Sequence, residues 1–394
     1  MRFQIEYNHM RKIRFLFYFS LILIFILSFT SSCERKESKF SEKDIFVMDT
    51  LVSIKIPKRK DSLKTLTEVE KEIITYEKIF DRYDPESIIS KINKAGAITI
   101  AGNNEVFLLL LISSKISSSV NKYFSITLLP VLKFYEEAGK KYEYLPYDPE
   151  ELKLKTLNAQ VNFSTNPENN GILISITPGS GIDLGGIAKG YIVDEAYNEL
   201  MSKNILTGLI NAGGDIRVWG GENKKTGYWV VGIQNPVKPQ GTYEYIVKLK
   251  DGSITTSGDY ERFIYVGEKE FHHIINPFTL LPSNQAHSVT IILEENIFLT
   301  SDLTEFLKNE YNWTDEMLFP EIKENILLNP GQLLTTEADA LATAIMCMPK
   351  KQAREFCNKN NINAIIYEHD YKVFISDSLK NNPNIKLEKN EDGK

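Results

Sequence analysis

The stretch Asp183-Leu184-Gly185-Gly186-Ile187-Ala188-Lys189-Gly190 decides how the rest of the chain is arranged. A strand pattern at residues 171–177 and a Pro-Gly-Ser-Gly turn at 178–181 precede it, and a helical pattern continues from it to about Lys203. A glycine turn at a helix start gathers main-chain N–H groups and the positive end of the helix dipole. We therefore expect an anion site here, to which Lys189 adds positive charge. The alternative is an ordinary strand-to-helix connection whose glycines only permit close packing.

The helix after this turn has an amphipathic pattern. Its apolar positions recur at helical spacing, and they are Ile187, Ala188, Tyr191, Val193, Ala196, Tyr197, Leu200 and Met201. The polar positions on the other face are Asp194, Glu195, Asn198 and Glu199. The pattern predicts that these four side chains point away from the core.

Composition excludes several classes of protein. The chain has 394 residues, of which 42% are hydrophobic and 25% charged, as in globular proteins with one large domain or two. The net charge is −6 with no basic cluster beyond the N-terminus, so we expect no nucleic-acid partner. The five histidines form no H-x-x-x-H pair and the cysteines no C-x-x-C pair, which argues against a zinc site and favours a hard metal with oxygen ligands.

The N-terminus has the pattern of a targeting segment. Three basic residues, Arg11, Lys12 and Arg14, precede an apolar run at residues 15–29, which ends in Thr30-Ser31-Ser32-Cys33. This order is that of a secretory signal, and a cysteine directly after the small residues resembles a bacterial lipoprotein signal. The resemblance predicts that the cysteine is lipidated and becomes the first residue of the mature protein.

The lipoprotein interpretation predicts a signal peptide at residues 1–32, lipidation of Cys33, and a polar tether over residues 33–44. The protein would then be anchored at the periplasmic face of a bacterial membrane, inner or outer. Thr30 stands where such signals usually have leucine. The alternative is an uncleaved membrane anchor, but a run of about 15 residues spans only ~22 Å of a ~30 Å hydrocarbon core.

The remaining chain alternates between helical and strand patterns. The expected elements are a first strand at 45–56, helices at 62–80, 103–120, 337–348 and 350–359, and a β-rich segment from 208 to 293. A charged, tyrosine-rich segment after Pro130 is expected at the surface. We expect one folded unit over residues 45–376, a polar insertion at 297–334, and a frayed, charged tail at 377–394.

A second motif, Thr335-Thr-Glu-Ala-Asp-Ala-Leu-Ala-Thr-Ala-Ile, begins with a capping-type threonine and continues as a helix. Asp339 and Thr343 are separated by one helical turn, so a carboxylate and a hydroxyl share a face. Oxygen donors of this kind suit Mg²⁺. The alternative, which the local pattern alone favours, is an Asp339 that faces solvent.

Three further segments carry polar or catalytic residue types. Asn211-Ala-Gly-Gly-Asp215 is a turn that a ligand could approach closely, or a plain β-turn. The segment Thr255-Thr-Ser-Gly-Asp-Tyr-Glu-Arg262 is dense in hydroxyl and charged groups, and His272-His273 precedes a proline turn. Histidine is the usual proton carrier near neutral pH, although a histidine at a strand edge is more often structural. Cys347 and Cys357 are predicted to be buried free thiols.

Taken together and in this order, these segments resemble the bacterial flavin transferases known as ApbE proteins, which use FAD to attach FMN to other proteins. The similarity runs from about residue 46 to residue 375. Its markers are Met48-Asp-Thr50, Tyr83 with residues 87–93, residues 183–190, residues 211–215, Thr256-Ser-Gly-Asp-Tyr260, His273-Ile-Ile-Asn-Pro277 and Ala338-Asp-Ala-Leu-Ala-Thr343. The resemblance implies an α+β fold of the flavin-transferase type, with a mixed-sheet core and surrounding helices.

The resemblance also implies roles for individual residues. Those expected to contact FAD are Met48, Tyr83, Phe124, Ser125, Asp183, Lys189 and Ile275. Those expected to hold Mg²⁺ are Gly186, by its main-chain carbonyl, Asp339 and Thr343. His273 matches a histidine implicated in catalysis. The chain departs from the usual family pattern at Asp49 and Leu280, where glycine is common, and at Ser125, where aspartate is common.

The implied reaction is a phosphoryl transfer that depends on Mg²⁺. A threonine hydroxyl of an acceptor protein attacks the FMN-side phosphorus of FAD, and AMP leaves. The implied acceptors are subunits of respiratory redox pumps. Two alternatives use the same residues: an FAD pyrophosphatase that releases FMN and AMP, and a non-catalytic FAD-binding lipoprotein.

Overall fold

The computed structural model describes residues 39–101, 104–141, 152–156, 158–166, 171–222, 227–260, 263–299, 303–327 and 331–390. The predicted signal peptide and Cys33 lie outside these residues, so the lipoprotein interpretation stays a prediction. Within the described ranges, no helix has both the length and the apolar character needed to cross a bilayer.

Helices and strands are grouped along the chain, with eight successive strands among the described residues between 208 and 293. The helices are α1 (Ser62–Phe80), α2 (Ile88–Ala95), α3 (Glu105–Ser119), α4 (Leu129–Lys141), α5 (Lys153–Thr156), α6 (Ala188–Ser202), α7 (Thr304–Tyr311), α8 (Pro320–Ile326), α9 (Leu334–Cys347), α10 (Lys350–Lys359) and α11 (Asp377–Asn381), with a short 3₁₀ helix at Asp315–Met317. The strands are β1 (Phe40–Val47), β2 (Thr50–Pro57), β3 (Ala97–Ala101), β4 (Val161–Asn166), β5 (Gly171–Ile176), β6 (Gly208–Ala212), β7 (Asp215–Trp219), β8 (Trp229–Gln234), β9 (Tyr243–Leu249), β10 (Gly252–Gly258), β11 (Phe263–Val266), β12 (Lys269–His272), β13 (Ala286–Leu293), β14 (Asn363–Glu368), β15 (Val373–Ile375) and β16 (Lys386–Lys389).

A large sheet forms the centre of the fold. In the described part of the chain its strand order is β1-β2-β6-β7-β10-β13-β14-β15, and smaller sheets have the orders β16-β9-β8, β3-β5-β4 and β11-β12. The expected α+β fold is confirmed. The pairings between these strands are antiparallel, not mixed.

Both faces of the large sheet are covered, which β14 demonstrates. All six of its residues are buried. Ala364 and Ile366 belong to the core that includes the helices, whereas Ile365 and Tyr367 pack with β8 and β9 of the β16-β9-β8 sheet. Because successive side chains of a strand point to opposite faces, the sheet lies between a helical layer and a second sheet.

The first strand predicted at residues 45–56 is instead a hairpin of two strands. β1 pairs with β2 around the two-residue turn Met48–Asp49, and both turn residues have a φ of 56°. Two successive left-handed residues make the tight hairpin turn that matches strand twist, and glycine is favoured there. This accounts for the usual family glycine at Asp49. The sequence lacks the Asn-Gly or Asp-Gly signal that would have revealed the turn.

The folded region extends further at both ends than the sequence predicted. Residues 40–44, expected in the tether, belong to β1, and the Phe40 ring lies 5.4 Å from that of Trp229. The tail expected to fray contains α11 and β16, which pairs with β9. Leu379 and Ile385 are buried in the core between the sheets. These apolar side chains in polar segments explain both differences, because each buries surface against the β16-β9-β8 sheet.

The segment after Pro130, expected at the surface, and residues 297–334, expected to be a polar insertion, both contribute to the core. Helix α4 buries Phe134 and Tyr135. Within residues 297–334, the side chains that join the main core are Leu299, Leu303, Leu307, Trp313, Leu318, Ile322, Ile326, Leu333 and Leu334. Trp313 also donates a hydrogen bond from Nε1 to the carbonyl of Phe163, at 3.0 Å. The segment therefore packs against β4 as part of the fold.

Candidate active site

The loop before α6 is held between two neighbouring segments. On one side, the amide of Asp183 donates to the carbonyl of Ile126, at 2.8 Å. On the other side, Asn93 of α2 accepts from the amide of Ile182 at 2.6 Å and donates to its carbonyl at 2.9 Å. The loop is thus fixed before it reaches the glycines, as a preformed ligand site requires.

Asp183 lies at the centre of a charged cluster that sequence reasoning missed. Its Oδ2 forms an ion pair with Nε of Arg82, and its Oδ1 accepts from the amide of Gly185 at 3.0 Å. Arg82 also pairs with Glu136 of α4 and lies 4.1 Å from the ring centroid of Tyr83. The Tyr83 hydroxyl donates to Glu136 at 2.9 Å, while 67% of the residue stays exposed. Two predicted flavin-site residues, Asp183 and Tyr83, are thus joined through Arg82.

Lys189, in the first turn of α6, forms an ion pair with Asp215 at the start of β7. Asp215 is only 1% exposed, and burial raises its pKa while the charge of Lys189 opposes that change. The turn before Asp215 packs against the first hairpin, because a Cβ on Gly213 would lie 2.2 Å from Oγ1 of Thr50. Met48 in that hairpin donates from its amide to Glu77 at 2.5 Å. The β1–β2 and β6–β7 turns therefore meet on the side where Lys189 lies.

The three residues expected to hold magnesium are brought together. A Cβ added to Gly186 would lie 3.2 Å from Oγ1 of Thr343, so the loop and helix α9 are in van der Waals contact there. Asp339, one turn earlier on α9, accepts a hydrogen bond from the amide of Gly190 at 3.1 Å. The Thr343 hydroxyl shares a hydrogen bond with Ser257 of β10, at 3.3 Å. The sequence had placed Ser257 in a polar segment without assigning it a role.

These donors fit a magnesium ion. Asp339 is 4% exposed, so the solvent-facing alternative is wrong. A carboxylate buried in an alanine-rich helix costs free energy unless it is paired or holds a cation. Carboxylate, hydroxyl and carbonyl oxygens are the donors that Mg²⁺ prefers, and the cation tolerates substrate phosphates in its remaining positions.

The loop that precedes α4 contacts the same cluster. The Phe124 ring is buried, and its Cε2 lies 3.4 Å from the position of a Cβ on Gly186. Ser125 points into its own loop, where its Oγ lies 2.9 Å from Oγ1 of Thr127. Phe124 therefore lies against Gly186, one of the candidate magnesium ligands, whereas Ser125 supports a local turn.

The two adjacent histidines are distinguished by their contacts. His272 donates from Nε2 to the carbonyl of Ser283 at 2.6 Å and accepts at Nδ1 from the amide of Ile274 at 3.2 Å, which fixes a neutral tautomer. Burial lowers the pKa of His272, which also favours the neutral ring. His272 is therefore structural, and His273, which is half-buried, stays the catalytic candidate.

The turn after His273 is fastened to helix α9. Asn276 donates from Nδ2 to the carbonyl of Cys347 at 2.7 Å, and the Cys347 thiol lies 3.6 Å from the carbonyl of Ile275. Leu280 in this turn has a φ of 58°, a left-handed conformation that explains why glycine is usual there. Cys347 and Cys357 are buried free thiols, as predicted. The segment with His273 and Ile275 is thus positioned by the helix that carries Asp339 and Thr343.

The burial of Asp194 and its contacts with α9 show that two predictions were wrong. Asp194 is fully buried in α6, not on a solvated face, and its carboxylate accepts from the amides of Thr335 at 3.1 Å and Thr336 at 2.8 Å. The start of α9 is therefore capped by Asp194 from another helix, not by its own threonine. Nη1 of Arg217 lies 3.5 Å from Oδ1 of Asp194, so the two residues form a buried ion pair. No local pattern predicted this contact.

The fold and site together define a flavin transferase of the ApbE type. A sequence profile described as "ApbE family" matches residues 48–304, which is more than half of the chain, and the protein belongs to this family.

Relatives and solved structures agree with this assignment. The FAD:protein FMN transferase of Klebsiella pneumoniae is 26% identical over 224 residues, which cover 56% of this chain and 68% of that protein. The FAD:protein FMN transferase of Buchnera aphidicola is 24% identical over 286 residues, 70% of this chain and 82% of that protein. The crystal structure of the ApbE protein of Thermotoga maritima superposes with a TM-score of 0.68 at 25% identity, covering 86% of this chain and 98% of that one. The flavin transferase ApbE of Vibrio cholerae, at 22% identity, shares the fold with a TM-score of 0.64 and covers the same shares.

Proposed function

We propose that this protein is an FAD:protein FMN transferase, an enzyme that moves FMN from FAD to a threonine hydroxyl of an acceptor protein and releases AMP. The observation that carries the proposal is the meeting of Gly186, Asp339 and Thr343 beside the helix start that bears Lys189. A pure flavin-binding protein has no need of a buried carboxylate and hydroxyl at that point. The names of the relatives support the same reaction.

The transfer exchanges one phosphorus–oxygen bond for another. A bond forms between the threonine Oγ and the FMN-side phosphorus of FAD, and the bond from that phosphorus to the bridging oxygen of the pyrophosphate breaks. The bridging oxygen leaves with AMP. The hydroxyl proton passes to a base, for which His273 is the candidate. Catalysis of this kind depends mainly on positioning and on charge stabilisation.

Several segments of the chain would position FAD and the cation. Asp339, Thr343 and the Gly186 carbonyl would hold Mg²⁺, and the chemistry that the cation supplies when bound is neutralisation of phosphate charge. Lys189, oriented by Asp215, adds a second positive charge next to the amides at the start of α6. We assign the flavin side to Met48, Tyr83 and Ile275.

The deciding experiment uses FAD, Mg²⁺ and a candidate acceptor that has a threonine-containing flavinylation motif. We expect covalent FMN on the acceptor, seen as in-gel fluorescence, and an equal amount of AMP. The acceptor with its threonine replaced by valine is the matched control, because it keeps the shape and removes the nucleophile. AMP and free FMN without labelled acceptor would assign a pyrophosphatase instead. FAD binding with neither product would assign a binding protein.

We also propose where the reaction occurs. Lipidation of Cys33 would hold the enzyme at the periplasmic face of the membrane, where respiratory redox pumps present their flavinylated subunits. The support for this is the signal pattern of residues 1–33 alone.

A further inference from the structure

Three neighbouring strands of the large sheet each have one end at the same place, and each brings a metal-ligating side chain there. Asp259 directly follows β10, His287 is the second residue of β13, and His369 directly follows β14. One ligand atom from each of these residues lies within 4.8 Å of the other two. The three residues are far apart in the sequence, so no ligand motif with local spacing reveals them.

Backbone geometry directs His287 into this cluster. The Asp259 amide donates to the carbonyl of His287 at 3.0 Å, which joins the ends of β10 and β13. On its other side, the pairing of β13 with β14 shifts register between Ala286 and Ser288, so that His287 is the extra residue. Bulges of this kind re-aim a side chain and are common next to functional sites.

The distances between ligand atoms suit a small cation. Oδ2 of Asp259 lies 2.8 Å from Nδ1 of His287 and 3.6 Å from Nε2 of His369. Tetrahedral zinc with bonds of ~2.0–2.1 Å places its ligand atoms about 3.3 Å apart, which lies between these two distances. The centroids of the two imidazole rings are 4.0 Å apart, with 39° between their planes, and one nitrogen of each ring approaches the same carboxylate oxygen.

From this geometry we infer that Asp259, His287 and His369 form a binding site for a divalent transition metal, with Zn²⁺ as the best match. Two imidazoles and one carboxylate are a ligand set that zinc accepts, whereas magnesium prefers oxygen donors alone. The side chain of His369 is 38% exposed, so a fourth position can be taken by water. The site therefore differs in chemistry from the candidate magnesium site at Asp339.

A metal in this position would fix the end of β10 next to the candidate active site. Ser257, two residues before Asp259, shares the hydrogen bond with Thr343 on α9. Joining the ends of β10, β13 and β14 through one cation would hold that segment in place. This inference does not depend on the proposed transfer reaction, because it concerns metal binding alone.

The test is zinc binding by the full, untagged chain after treatment with a chelator. Titration calorimetry with Zn²⁺ should show one site with micromolar or tighter affinity, and the melting temperature should rise by a few degrees, because a ligand that binds only the folded state stabilises it. A crystal grown with Zn²⁺ should show an anomalous peak between the three side chains.

Two single variants and two controls make the test specific. His369→Ala removes the most exposed ligand, and Asp259→Asn keeps an acceptor for His287 but loses the charge; each should weaken zinc binding by about tenfold or more. Asp370→Asn changes the carboxylate next to His369, which pairs instead with Lys350 and Lys372, and should leave zinc binding unchanged. Asp339→Asn should also leave it unchanged, which separates this site from the candidate magnesium site.

Unaltered zinc affinity in both His369→Ala and Asp259→Asn would overturn the inference. So would the absence of micromolar binding to the wild-type chain, because the three residues would then be only a hydrogen-bonded cluster. Circular dichroism of both variants shows whether they are folded, and His369 is exposed enough for its replacement to be tolerated.

Discussion

The carboxylate of Asp194, in the middle of α6, accepts a hydrogen bond from the amide of Thr336 in the first turn of α9, at 2.8 Å. Helix α6 has Lys189 in its first turn, and α9 carries Asp339 and Thr343. The contact therefore sets how the two helices of the candidate active site lie against each other. Gly190 permits it, because a Cβ there would lie 2.5 Å from the carbonyl oxygen of Thr335.

Replacing Asp194 should destabilise the protein strongly. Asp194→Ala removes the cap of α9 and leaves Arg217 buried without its charged partner, and breaking a buried ion pair in this way costs about 3–5 kcal/mol. Urea unfolding followed by circular dichroism measures the change. Glu199→Ala on the same helix is the control: its ion pair with Lys203 is partly exposed and should contribute less than about 1 kcal/mol. Equal losses in the two variants would show that Asp194 has no special role.

The flavin side of the site should depend on the pair of Asp183 and Arg82. Asp183→Asn keeps an acceptor for the Gly185 amide but loses the charge that pairs with Arg82. Arg82 then keeps only its ion pair with Glu136, so Arg82 and the Tyr83 ring beside it are held less firmly. We expect FAD to bind about tenfold more weakly, which corresponds to about 1.4 kcal/mol. Quenching of flavin fluorescence measures the affinity.

Glu86→Gln is the control for this measurement. Glu86 lies in the same turn region, but its ion pair with Lys91 is exposed, so FAD affinity should not change. If Asp183→Asn binds FAD as tightly as the wild type, the charged cluster around Arg82 has no part in holding the flavin.

The sequence predicted the parts of the site that are local in the chain. Residues 183–190 combine a turn and a helix start, and Asp339 and Thr343 are one helical turn apart, so their shared face follows from helix geometry alone. Contacts that depend on the packing of distant elements had no such signal. Arg82 with Glu136, Asp194 with Thr336, and the cluster of Asp259, His287 and His369 belong to this second group.

The same distinction explains the differences in the fold. Helices α1, α6 and α10 were predicted near their observed bounds because their apolar residues are periodic. The tail strand β16 has only one apolar residue, Leu387, between charged ones, and it is a strand because β9 offers a free edge. Pairing with a distant edge is a property of the assembled fold, which a local pattern cannot contain.

Lipidation should depend on Cys33. In the proposed lipoprotein, Cys33→Ser removes the thiol that receives the lipid, so the protein should be unprocessed or released from the membrane. Fractionation of cells and labelling with a palmitate analogue measure both effects. Ser32→Ala, which keeps a small residue before the cysteine, is the control and should be processed normally. Membrane retention of Cys33→Ser at the same apparent mass as the wild type, with no lipid label on either protein, would support the uncleaved anchor instead.

The candidate magnesium site at Asp339 and Thr343 provides the most direct test of the proposed reaction. Asp339→Asn keeps the shape of the side chain but removes its charge, and Thr343→Val removes the hydroxyl at nearly constant volume. Loss of charge stabilisation in a transition state costs on the order of 10²–10³ in rate, so AMP release by Asp339→Asn should fall by that factor. Thr343→Val should be affected less, because it loses a neutral ligand. Chromatography of AMP over a range of Mg²⁺ concentrations measures both.

The control is Thr343→Ser, which restores an oxygen at the position that contacts Gly186 and Ser257 and should recover most of the activity. FAD affinity should fall much less than the rate in all three variants, since the flavin contacts of the proposed site lie on other segments. That separation matters because a merely structural defect would lower binding and turnover together. If Asp339→Asn retains full Mg²⁺-dependent AMP release, the cation is held elsewhere and the proposed role of α9 is wrong.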